Sequence, residues 1–147
     1  AAGDPAPLPY LASAEDQTEG GIDIAIEVSL STAKMRAAGA PALRLGRCNL
    51  RDLYWTVAQM LAHHASNGCN LRPGDLLGTG TLSGPGKDAL GSLIEITKRG
   101  AEPLRLPNGE ERRFLLDGDE IVMRGRCERP GSVGLGLGEA RAVITPA

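Results

Sequence analysis

One carboxylate in this chain sits where a carboxylate is costly. In Ser92-Leu93-Ile94-Glu95-Ile96-Thr97, Glu95 has apolar neighbours on both sides. Read as a strand, the segment puts Glu95 on the same face as Leu93 and Thr97. Two outcomes are open. An edge strand would turn the glutamate to water. Alternatively, a buried carboxylate, expensive unless paired, is kept for chemistry. Such a group can orient a histidine base and stabilise its imidazolium, as the acid member of a triad does.

Other chemistry-bearing residues are weaker candidates. The run NGCNLRPGDLLGTGTLSGP, Asn67 to Pro85, could be a phosphate cradle, a linker or the wall of a site. Gly80 to Lys87 hints at a P-loop, but the spacing is wrong and Asp88 stands where a magnesium-holding Ser or Thr belongs. Gly134-Leu135-Gly136-Leu137-Gly138 resembles a dinucleotide fingerprint, which needs a helix after it. Glu139 to Thr145 reads better as a strand, so a glycine-rich bend between strands is expected. His63 and His64 are adjacent on a helix and point about 100° apart, so they do not share one metal. One packing and one surface histidine are expected. The three cysteines, Cys48, Cys69 and Cys127, lack metal-knuckle spacing. Reduced, mostly buried thiols are expected; nearness in sequence to His63 and His64 alone does not make Cys69 a nucleophile.

The elements that must position these residues are mostly strands. Ile22 to Leu30 alternates, with Ile22, Ile24, Ile26, Val28 and Leu30 on one side. A weaker strand runs from about Ala42 to Cys48. One helix is predicted over Leu50 to Ser66, capped by Asn49 and stopped by Gly68. Its apolar stripe is Leu50, Leu53, Tyr54, Val57, Leu61 and Ala65. Further strands are predicted at Asp75 to Thr81, Ser92 to Thr97, Phe114 to Leu116, Glu120 to Arg126 and Ala140 to Thr145. Asn108-Gly109 signals a hairpin and Asp117-Gly118 a turn. Ala1 to Gly21 reads as an extended lead-in. The class is mainly β with one α-helix. At 147 residues the chain has the size of one domain. A net charge of −2 and 3% aromatic residues give no reason to expect a nucleic-acid or membrane-surface partner. No apolar run reaches the ~18 residues of a membrane span. No signal peptide opens the chain, and without an initiator Met, Ala1 need not be the native beginning.

The longer motifs carry a resemblance. Pro7-Leu8-Pro9-Tyr10-Leu11, Tyr54-Trp55-Thr56, His63-His64, Asn67-Gly68-Cys69-Asn70-Leu71-Arg72-Pro73-Gly74-Asp75-Leu76-Leu77 and Gly80-Thr81-Leu82-Ser83-Gly84-Pro85 look like the fumarylacetoacetase family. So do Gly91-Ser92-Leu93-Ile94-Glu95, Asn108-Gly109 and Phe114-Leu115-Leu116-Asp117-Gly118-Asp119-Glu120. The resemblance covers nearly the whole chain. It implies a cytoplasmic homodimeric hydrolase that cleaves a C–C bond of 4-fumarylacetoacetate, giving fumarate and acetoacetate in tyrosine and phenylalanine breakdown. It also implies a mixed β-sandwich roll and a divalent metal, magnesium or calcium, on the diketone oxygens. Glu95 resembles the glutamate that orients the catalytic histidine, and Thr81 the threonine that contacts substrate. The glycine-rich run then becomes an active-site wall.

The pattern departs from the family in one large respect. The family's chain is longer, and its metal-binding carboxylates, its histidine base and its basic substrate contacts all precede the matched region. None has a counterpart in Ala1 to Ala147, so no metal ligand is assigned here. His63 and His64 match non-catalytic family histidines. Residues 1–147 are therefore expected to be the C-terminal part of the catalytic domain, inactive alone, with open strand edges and apolar surface that a partner would cover. Two rival readings stand beside this one: a related superfamily enzyme acting on diketo acids, and a non-catalytic β module for assembly.

Overall fold

Strand β1 (Ala25–Ser31) runs through the middle of the main sheet, and its register fixes the core. The computed structural model describes residues 6–146. The strands β2 (Leu43–Asn49), β5 (Glu120–Cys127) and β6 (Leu135–Val143) complete this sheet in the order β2-β1-β5-β6, with every pairing antiparallel. Leu30 stands opposite Leu43 on β2 and Ile121 on β5. The strand begins at Ala25 rather than Ile22, and the predicted alternation does not show in its burial, since Ser29 and Ser31 are buried along with Leu30. Leu30, Met35 and Leu106 form the buried centre, with Leu43, Leu45, Leu115 and Ile121 packed around it. Full burial of one such side chain stabilises by about 1.5–3 kcal/mol.

Short helices punctuate the sheet, and each is opened by a hydroxyl cap. Ser13 caps α1 (Ala14–Glu19), Thr32 caps α2 (Ala33–Ala37), Thr56 caps α3 (Val57–Ala65) and Ser92 caps α4 (Leu93–Ile96). The class is β-rich as predicted, but the described residues hold four α-helices rather than one. The lead-in is not simply extended, since its described part contains a 3₁₀ turn at Pro9–Leu11 and then α1; Ala1 to Pro5 lie outside the described residues. The helix predicted over Leu50 to Ser66 is broken. Asn49 caps only a 3₁₀ turn, Leu50–Asp52, and the chain restarts at Thr56, where a complete capping box with Gln59 opens α3. Gly68 does take the left-handed conformation expected just past the helix, at φ +86°.

Three strand predictions fail: Asp75 to Thr81 and Phe114 to Leu116 are irregular, and Ser92 to Thr97 holds α4. The glycine run at 134–138 is not a bend either. Leu135 already belongs to β6, and the register shifts between Arg124 and Arg126 on β5, where Gly125 lies against the Leu137 side chain. The irregularity is a bulge within a pair of strands. The Asn108-Gly109 turn does close a hairpin, between β3 (Leu104–Arg105) and β4 (Glu111–Arg112), with Gly109 at φ +84°. β6 is an edge strand exposed along all nine residues, Leu135 and Leu137 included. No helix among the described residues is long and apolar enough to cross a membrane.

Candidate functional site

The geometry of α4 decides where Glu95 goes. On a strand it would share a face with Leu93. On a helix, Leu93 and Ile96 lie on one side, and a residue two positions from Leu93 turns away. Leu93 and Ile96 line a small apolar gap against Val28, Leu45 and Met123 of the sheet. Glu95 therefore points away from the sheet, into a cavity of about 620 Å³. The strand reading of Ser92 to Thr97 is corrected here. Both outcomes offered for Glu95 also need revision. The residue is exposed, not buried, yet it faces a concave wall rather than open water beside a sheet edge.

The cavity has two unlike sides. Leu53, Tyr54, Trp55 and Met60 make an apolar one, supplied by the break before α3 and its first turn. Tyr54 and Trp55 meet edge to face, with ring centroids 4.9 Å apart. Thr79, Thr81, Ser83 and Ser92 make the other side hydroxyl-rich, and Asp52 and Glu95 add carboxylates. The segment 79–83 is held by its neighbours rather than by a sheet. The Gly84 N–H donates to the Ala89 carbonyl at 2.7 Å, and the Gly91 N–H donates to Ser83 Oγ at 3.0 Å. At Gly91 a Cβ would come 1.9 Å from the Leu82 carbonyl oxygen, so only glycine fits. On the far side, Gly46 of β2 lets the Leu90 carbonyl approach in the same way.

Glu95 is tightly ringed by donors. The Ser92 hydroxyl donates to Oε2 at 2.6 Å. The Ser83 hydroxyl donates to both oxygens, at 2.9 Å to Oε1 and 3.0 Å to Oε2. The hydroxyls of Ser92 and then Ser83 hold the carboxyl below the usual glutamate range, with smaller help from the Ser92 and Gly91 backbone N–H groups. Glu95 is thus an ionised acceptor at neutral pH.

Thr81 lies on the same cavity wall, so the two sequence candidates come together. Most of the glycine-rich run does not join them. Asn67 to Gly80 is exposed, and of the run only Thr79 to Ser83 reaches the cavity. The two histidines point to different partners, but both are exposed rather than one being packed inside. His63 Nδ1 lies 2.8 Å from the Tyr10 hydroxyl and its ring stacks on Tyr10, while His64 Nε2 lies 3.3 Å from Cys69 Sγ. Cys69 is exposed, contrary to the expectation of mostly buried thiols; Cys48 is buried and Cys127 half-buried. Sequence reasoning missed Ser83, Ser92 and the aromatic wall. A signal for Ser92 was present, since Ser92-x-x-Glu95 is a helix-opening pattern. Nothing in the sequence alone marks Ser83.

The site thus combines a β-rich scaffold, a hydroxyl-held carboxylate and an apolar group of side chains lining one cavity. The family model described as fumarylacetoacetate (FAA) hydrolase C-terminal matches residues 12–145, and the chain belongs to that family. It is 43% identical to fumarylacetoacetase of Homo sapiens over 144 residues and 46% identical to that of Arabidopsis thaliana over 144 residues. It is 53% identical to fumarylacetoacetase of Caenorhabditis elegans over 102 residues, which cover 69% of this chain and 24% of that protein. The human match covers 98% of this chain and 32% of that protein, and the Arabidopsis match 97% and 32%. The chain thus spans about a third of the length of the curated relatives it matches.

Proposed function

We propose that this chain supplies one wall of an active site that hydrolyses a C–C bond of 4-fumarylacetoacetate to fumarate and acetoacetate, within a longer polypeptide. The observation that carries the reading is the Glu95 carboxylate, ionised and aimed into a cavity that Thr81 also lines. Glu95 accepts the N–H of an imidazole contributed by polypeptide outside these residues. It fixes that ring's tautomer and stabilises the imidazolium formed when the other ring nitrogen takes a proton from water. The hydroxide equivalent adds to a ketone carbon, the C–C bond breaks, and the departing enolate takes up a proton. Thr81 contributes a hydroxyl to the bound substrate. The apolar wall of Leu53, Tyr54, Trp55 and Met60 limits water around it.

Magnesium or calcium does not fit the residues present. No group of three His, Cys, Asp or Glu side chains capable of holding a metal occurs among the described residues, and the Glu95 oxygens are already engaged by hydroxyls. The donors for such an ion belong, on this reading, to the rest of the polypeptide, as does the remainder of a mixed β-sandwich roll. The exposed β6 edge and its leucines are consistent with cover by further chain or by a second subunit. A cytoplasmic homodimer serving tyrosine and phenylalanine breakdown completes the proposal, and the 147 residues alone are inactive.

Glu95→Gln in the complete polypeptide tests the proposal. Turnover of the diketo acid, followed by loss of its absorbance, should fall by about 10²–10⁴-fold, the usual worth of general-base assistance. Unchanged turnover removes Glu95 from the reaction.

A further inference from the structure

We propose that Ser83 is the positioning residue of this site, locking the Glu95 carboxylate in place and tying it to the segment that carries Thr81. The inference rests on the reading that Glu95 orients a base. A hydroxyl has one proton and two lone pairs. The Gly91 N–H occupies one lone pair of Ser83 Oγ, which turns the proton toward Glu95. Ser92 is constrained in the same way, because its Oγ accepts the Glu95 N–H at 3.3 Å and donates to Oε2. Both hydroxyls are therefore donors toward the carboxylate, and both select its ionised form.

The two serines nevertheless differ in what they hold. Ser92 is the cap of the helix that carries Glu95, so its effect is local. Ser83 comes from the facing segment, two residues beyond Thr81, and sets how the substrate-contacting wall stands relative to the acid. The bonds also assign the two oxygens. Oε2 receives both hydroxyls, whereas Oε1 receives only Ser83. With about two acceptor sites on each oxygen, Oε1 is the one less occupied by hydroxyls. The other titratable side chains lining the cavity are Asp52 and Tyr54.

The test uses the complete polypeptide. Ser83→Ala should lower kcat about 10–100-fold, the worth of a hydrogen bond to a charged group, with KM little changed. The acid limb of the kcat pH profile should move upward, toward the ordinary glutamate range. Ser83→Thr, which keeps a donor, should recover most of the loss. Ser83→Cys, similar in shape and a weak donor, carries the same expectation as alanine and replaces it if the alanine variant does not fold. In a Glu95→Gln background, Ser83→Ala should add nothing. Wild-type kcat and pH profile in Ser83→Ala and Ser83→Cys, or additive losses in the double variant, overturn the role of Ser83 while a slow Glu95→Gln variant preserves the function. Unchanged turnover in Glu95→Gln brings down both.

Discussion

The guanidinium of Arg112 and the carboxylate of Asp119 form a buried bidentate pair, Nε to Oδ2 at 2.8 Å and Nη2 to Oδ1 at 2.9 Å. Their side chains are only 8% and 1% exposed. The pair joins the β3–β4 hairpin to the turn before β5. Asp119 Oδ2 also accepts the Leu116 N–H at 2.9 Å, and the Asp119 carbonyl accepts the Ile144 N–H at the end of β6. Glu110 extends the network. It accepts from the Thr32 hydroxyl and from Asn108 Nδ2, each at 2.5 Å, and lies 3.4 Å from Arg112. One polar knot thus ties the cap of α2, the hairpin and the far end of the sheet around Leu30, Met35 and Leu106.

Breaking that pair on one side leaves a buried charge without its partner. Asp119→Ala is expected to cost about 3–5 kcal/mol of stability, read as a lower denaturant midpoint in the complete polypeptide. A cost below about 1 kcal/mol, the range of exposed ion pairs, would mean that water reaches the pair.

The second prediction concerns the backbone beneath the site. Gly91→Ala would drive a Cβ to 1.9 Å from the Leu82 carbonyl oxygen and 3.0 Å from Thr81 Cγ2. Backbone cannot give way as a flexible side chain can, so segment 81–83 must move away from Glu95. The Gly91 N–H to Ser83 bond would be lost with it. A displacement of about 1 Å at such a site costs on the order of 10²-fold in rate. Gly78→Ala is the control, because a Cβ there meets nothing within 4 Å. Gly91→Ala should abolish most turnover of the diketo acid and Gly78→Ala should spare it; equal rates in the two variants would show that the tight approach at Leu82 is not needed.

How legible this was in the sequence depends on what each signal measures. β1 was found because its apolar residues alternate over a long run, whereas β2 and β5 were read from short apolar runs bounded by turn residues. The Asn108-Gly109 hairpin was found because left-handed backbone at Gly109 is a local property of the dipeptide. Ser92 to Thr97 misled because a run of six samples too few residues to separate the two periods. There the capping pattern, not the alternation, carried the information. The same holds for Thr56-x-x-Gln59, which restarts a helix inside an apolar stripe that looks continuous. Glu95 and Thr81 were singled out through motif resemblance, and both line the same cavity. Ser83 was not, because its role comes from a contact across the cavity between residues that no periodicity links.

The last prediction follows from the direction in which Glu95 is shifted. Its carboxyl is held below the ordinary glutamate range, first by the Ser92 hydroxyl and then by the Ser83 hydroxyl. A carboxyl whose folded value lies below its unfolded value binds fewer protons when folded. The stability it contributes is fully present above the unfolded value, near pH 4.5, and is lost as pH falls through the depressed folded value. Ser83→Ala removes one of the two principal donors, so the folded value moves back toward the unfolded one and this contribution shrinks. The stability gap between wild type and Ser83→Ala should therefore be constant from about pH 7 to about pH 6 and narrow as pH falls toward about 3. Only the part of the gap that comes from lost packing and neutral hydrogen bonding should remain at the acid end. Denaturant unfolding of both proteins across that range measures it. A gap that stays level or widens in acid would mean that Ser83 does not act on the ionised form of Glu95.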